Sequence, residues 1–150
     1  MSCKKIKINI YDTVIITIKY NKKNGYKIHH EFNKISQKSY YINGKVNGKT
    51  TNYYKNINIK SIYYDINGEL VGDFIMYHNN GIKCKKVCTI DKEINGEMVE
   101  YHNNGNISYK YYLIEGLKNG YGFSYNQDGV LLCIAYHIDY SIVFITENKL

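Results

Sequence analysis

The sequence predicts an all-β protein, an elongated array of antiparallel β-hairpins in a single twisted meander sheet, with about five units of 23–24 residues and a cap at each end. Three observations lead there. Composition is the first: the 150 residues include 18 Tyr but no Pro, Trp or Arg, and a single Ala, Ala135. Ile, Tyr and Asn are middling helix formers, so a helical bundle is disfavoured and a strand-rich fold expected. The second is a repeat of 24 residues, and the third is a glycine turn signal between two strand-length segments in each repeat. A chain of 17.6 kDa suits one repeat domain spanning 1–150.

The elements follow in order. Residues 1–24 are the N-terminal capping segment, strand-like from Ile6 to about Lys19. The hairpin repeats occupy 25–137. INGELVGDFIMYHNNG from Ile66 and IDKEINGEMVEYHNNG from Ile90 align without gaps, so Gly72 falls on Gly96, Tyr77-His78 on Tyr101-His102, and Gly81 on Gly105. IEGLKNGYGFSYNQDG from Ile114 keeps Gly120, Tyr125 and Gly129, and INGKVNGKTTNYYKNI from Ile42 keeps Gly48 and Tyr53. A weaker copy opens at Gly25. Residues 138–150, with the strand-like SIVFIT from Ser141, form the C-terminal cap.

Within a unit, EMVEYH reads as a strand, NNG as a turn and NISYKYY as a second strand. Asn80-Gly81, Asn104-Gly105 and Asp128-Gly129 suit two-residue type I′ turns, which need positive φ at both positions. The glycines that open the units, Gly48, Gly72, Gly96 and Gly120, predict positive φ or close backbone approach. Strand alternation puts Tyr53, Tyr77, Tyr101 and Tyr125 on one face with Thr51, Ile75, Val99 and Phe123. On the second strands, Ile59, Ile107 and Leu131 form an apolar column set with Tyr63, Val87, Tyr111 and Ala135, in which Lys83 is discordant. These columns are the expected core.

The YHNNG units resemble the MORN repeat, in its variant form in which YYxNG or YxxNG replaces the Trp-containing motif. The resemblance covers roughly residues 18–137. It implies a meander of successive hairpins acting as a non-enzymatic module for protein interaction, scaffolding or attachment near membranes. Variant arrays are frequent in bacteria, some labelled antitoxins, and in large DNA viruses. The chain lacks the main pattern's Trp and much of its second Gly-x-Gly, which counts against the phospholipid role attributed to the main family.

The net charge of +7 is unevenly spread. Residues 1–60 hold 13 Lys against Asp12 and Glu31, while residues 61–150 hold seven Lys against 11 acids. The lysines Lys4, Lys5, Lys7, Lys19, Lys22, Lys23 and Lys27 are the candidate partner contacts. An anionic membrane surface or nucleic acid is the alternative partner to another protein, although the absence of Arg removes the bidentate fork that reads guanine. Open sheet edges give a third alternative, end-to-end self-assembly.

No catalytic site is expected, and no small-molecule substrate, cofactor or metal. His78 and His102 are equivalent positions in consecutive hairpins, about 10 Å apart, too far to share a metal. Cys84 and Cys88 stand ~13 Å apart along one strand, too far for a disulfide. Phosphate loops, GxSxG elbows and HExxH helices are absent. Four cysteines in a chain this long suggest free thiols in a reducing, intracellular (cytoplasmic) compartment. Asn9 and Asp12 interrupt the first apolar run, so neither a signal peptide nor a membrane span is expected.

Overall fold

The computed structural model describes residues 5–10, 14–21, 24–90, 93–139 and 141–147. The predicted all-β class holds: among the described residues every regular element is a strand, and, one two-residue strand aside, neighbours in sequence pair antiparallel in meander order. The chain divides into two compact units, Met1–Val71 and Gly72–Leu150.

The first unit contains β1 (Lys5–Ile10), β2 (Val14–Asn21), β3 (Asn24–Glu31), β4 (Lys34–Ile42), β5 (Lys45–Tyr53) and β6 (Ile59–Ile66). Each pairs with the next. The second contains most of β7 (Glu69–Tyr77), then β8 (Lys83–Ile90), β9 (Glu93–Tyr101), β10 (Ile107–Ile114), the short β11 (Leu117–Lys118), β12 (Gly120–Tyr125), β13 (Leu131–Ile138) and β14 (Ser141–Glu147). The path runs in order, with β11 a side branch on β10. Both expected cap segments contain paired strands, β1 and β2 at one end and β14 at the other.

Turn chemistry differs from the expectation in an instructive way. At Asn104-Gly105 the His102 N–H donates to the Asn106 carbonyl (2.8 Å) and the Gly105 N–H to the His102 carbonyl (2.9 Å). Positive φ occurs at Gly105 (93°) and not at Asn104. This is a type I turn followed by one left-handed residue, not a type I′ turn, and it repeats at His78–Ile82 and Asn126–Val130. Type I′ turns lie at the opposite hairpin ends, at Asn43-Gly44 (φ 51° and 81°) and Glu115-Gly116 (51° and 78°).

The extra left-handed residue shifts the register by one, and that slip divides the expected core. Tyr111 is opposite Met98, whereas Ile107 is opposite Tyr101, so a bulge lies between them. Met98 and Tyr101 are three residues apart and face opposite ways, which puts Ile107 and Tyr111 on different faces. The same slip follows Asn52, Met76 and Ser124. The 59–83–107–131 column is therefore not part of the core formed by Val87 and Tyr111. Ile59 and Ile107 are each 37% exposed, and Lys83 is not discordant there.

The second unit's core is Val87, Met98, Tyr111 and Leu113, with Phe74 and Tyr109 packed against it. Tyr111 donates its hydroxyl hydrogen to Met98 Sδ, and burial followed by Glu100 pushes its pKa up to about 12. The first unit fills equivalent repeat positions with polar groups. Thr50 donates its hydroxyl hydrogen to Asp65 Oδ2 at 3.2 Å, which leaves its oxygen to accept from the Ser39 hydroxyl at 3.2 Å, all three buried. Burial pushes the Asp65 carboxyl above its ordinary range, and the Thr50 hydroxyl offsets part of that.

Candidate interaction surface

Of the predicted contact lysines, Lys4, Lys22 and Lys23 lie outside the described residues. Lys5, Lys7 and Lys19 are placed on β1 and β2, with Lys5 opposite Lys19, and their side chains also lie outside the described part. Lys27 is on β3, half-buried, its Nζ 5.6 Å from the centre of the Tyr41 ring.

The repeat positions are placed as the alignment requires. Gly48, Gly72, Gly96 and Gly120 all have positive φ (127°, 72°, 103° and 82°), and each sits early in or near the start of a strand. Gly81, Gly105 and Gly129 are the left-handed residues of the turns. Tyr53, Tyr77, Tyr101 and Tyr125 end β5, β7, β9 and β12, where the register slips.

The turns of the second unit are stitched to one another. His78 Nε2 is 3.1 Å from the Tyr101 carbonyl and His102 Nε2 is 2.9 Å from the Tyr125 carbonyl, each donating. Asn80 and Asn104 donate their side-chain amides to the Asn103 and Gln127 carbonyls at 3.1 and 2.7 Å. His78 and His102 are thus structural rungs. Among the described residues no three His, Cys, Asp or Glu side chains converge on a metal position. Cys84, Cys88 and Cys133 are free, half-buried thiols, and burial pushes the Cys84 pKa up.

A groove of about 230 Å³ opens in the first unit between the β3–β4 turn and the end of β5. Its apolar walls are Phe32, Ile35, Tyr53 and Tyr54; Lys34, Lys55, Glu31 and Ser36 complete it. Sequence reasoning missed this site, although a signal was present. Where the other turns read NNG or QDG, these read Glu31-Phe32-Asn33 and Asn56-Ile57. Phe32 and Asn33 form a type I′ turn (φ 49° and 63°) that leaves Phe32 64% exposed. Ile57 takes the left-handed position held elsewhere by Gly81, Gly105 and Gly129, with φ 68°, and is 66% exposed. A β-branched residue there is a strained outlier. Two large apolar side chains thus stand in solvent on neighbouring turns.

Several cations of this unit lie on aromatic faces. Lys55 Nζ is 5.5 Å from the Phe32 ring centre, Lys60 6.0 Å from Tyr54 and Lys38 4.4 Å from Tyr26. In the second unit Lys85, Lys86 and Lys110 pair with Glu100, Asp73 and Glu97 at 3.2, 2.9 and 2.6 Å, while Lys118 Nζ lies over the rings of Tyr109 and Tyr111 at 4.9 and 4.4 Å.

In comparison with known proteins, no family model matches the chain and no curated protein matches it. Among the described residues no helix is long and apolar enough to cross a membrane.

Proposed function

We propose that the protein is a non-catalytic, MORN-like repeat scaffold that binds another protein through the groove of its first unit. The observation that carries this reading is Phe32, an exposed apolar wall of the groove at a left-handed turn position, with a second exposed apolar residue, Ile57, at the left-handed position of the turn that follows the lining residues Tyr53, Tyr54 and Lys55. Large apolar side chains in solvent at strained positions offer a partner contact area that is already ordered, and strain of this kind concentrates at functional sites. The groove is smaller than the ~300–1,000 Å³ of small-molecule pockets, so it suits a partner's side chain better than a substrate or cofactor.

The test is capture from a lysate of the protein's natural source with wild-type and Phe32→Asn baits, washed at ~0.15 M and ~0.5 M salt. Asn accepts left-handed φ, so the turn survives the substitution. A discrete protein held by the wild type through both washes and released by Phe32→Asn supports the reading. Retention of lipid or nucleic acid alone, lost at high salt, replaces it with an anionic-surface role for the lysine-rich half. Mass growing with concentration and no foreign partner replaces it with self-assembly.

A further inference from the structure

What the groove selects depends on the charges around its apolar walls. Lys34 and Lys55 line it, and Lys60 lies over the ring of Tyr54, one of its walls, against the single carboxylate of Glu31. Between 24 and 71 the unit carries seven lysines and three acidic residues, and Asp65 is buried away from the surface. An ammonium seated over a ring keeps its full charge, because the ring offers a quadrupole and no counter-ion. Lys55 therefore presents its cation at the rim while holding Phe32 as an apolar wall.

We infer that the groove takes an acidic peptide segment bearing one large apolar side chain, the apolar group entering between Phe32, Ile35 and Tyr54 and the flanking carboxylates meeting Lys34 and Lys55. This rests on the proposal that the groove is the partner site. Single-stranded nucleic acid is the other polyanion to weigh. It would need open ring faces for base stacking, and the ammonium groups of Lys55 and Lys60 already occupy faces of Phe32 and Tyr54. Glu31 supplies the selectivity: it repels an acidic segment that enters from its side, so it sets direction at a cost in affinity.

The experiment uses the full chain and a fluorescein-labelled short peptide of Asp and Glu with one central Phe, followed by anisotropy. Comparison probes are the same peptide with Ser for Phe, a Lys-based peptide with the central Phe, and oligouridylate. Expected are saturable binding of the acidic Phe peptide with Kd on the order of 100 μM, and at least tenfold weaker binding of the Ser and Lys versions and of the RNA. Lys55→Glu should weaken binding about tenfold, and Glu31→Gln should tighten it about threefold, a gain that misfolding cannot imitate. Equal binding of the comparison probes, no saturation by ~1 mM, or unchanged affinity in both variants overturns the inference. If Phe32→Asn releases a captured protein while the acidic peptide has no preference, this inference falls and the groove remains a partner site. If capture is indifferent to Phe32→Asn, the partner-site reading itself fails.

Discussion

Replacing Ile57 by Asn should make the protein more stable while removing one of its most exposed apolar side chains. Ile57 sits at φ 68°, where an L-residue costs roughly 1–2 kcal/mol and a branched Cβ lies at the upper end of that range. What the side chain returns is small. It is 66% exposed, so about a third of the ~1.5–3 kcal/mol available from burying an Ile side chain is recovered, some 0.5–1 kcal/mol. Asn occupies the left-handed region readily and avoids the extra unfolded-state freedom of Gly. The balance is a gain of ~1 kcal/mol, or ~2–4 °C in Tm for a chain of this length. Gly81 is the mirror test. It holds the equivalent turn position at φ 86°, and a Cβ there would meet nothing within 4 Å. Gly81→Ile should therefore lose ~1 kcal/mol through backbone strain alone. Thermal and urea unfolding followed by circular dichroism measure both. A loss of 1 kcal/mol or more in Ile57→Asn, or a neutral Gly81→Ile, would refute the reasoning. A stabilised Ile57→Asn variant that captures less partner would show strain maintained for binding.

Asp65 supplies a pH prediction. Its folded pKa is raised above the ordinary 3.8, so the folded state holds the proton more tightly than the unfolded chain. The penalty is fully present above the folded pKa, is relieved as pH falls through it, and is gone below 3.8. Asp65→Asn, which still accepts the Thr50 hydrogen bond, should be the more stable protein at neutral pH, with its advantage shrinking towards pH 3.8. A pH-independent difference in urea midpoints counts against this account. Gly122 supplies a packing prediction. A Cβ there would stand 3.1 Å from His137 Nε2 and 3.3 Å from the Tyr109 hydroxyl, and His137 is only 2% exposed. Gly122→Ala should cost ~1–3 kcal/mol by overpacking, read as a lower Tm, and Gly122→Ala combined with His137→Ala should recover part of it.

The period was legible because repeated glycines mark positions only they hold comfortably, and Gly48, Gly72, Gly96 and Gly120 all prove to have positive φ. Strand order followed from it, since a short turn after each strand leaves antiparallel pairing with the neighbour as the direct outcome. Turn type was harder. Asn-Gly satisfies a type I′ turn and also the last two positions of a type I turn with a left-handed residue, and dipeptide preference does not separate them. That ambiguity propagated into the faces, because one bulge after Tyr53, Tyr77, Tyr101 or Tyr125 inverts every assignment beyond it. Charge alone points to lysines that fall mostly in the segment before residue 24. The groove arises instead where the turn pattern fails, at Phe32 and Ile57, a departure visible only once the regular turns are aligned.

The hydrogen bonds from His78 and His102 to the carbonyls of Tyr101 and Tyr125 have a consequence for how such a chain changes over generations. What each turn requires of its successor is a main-chain oxygen, which any amino acid provides. A tandem duplication of 24 residues would bring its own donor and its own acceptor and leave the flanking contacts intact. Side chains on the strands are then free to diverge without breaking the succession of turns. A coding segment of this kind can lengthen or shorten by whole units, and the breadth of surface it offers can evolve separately from its ability to fold.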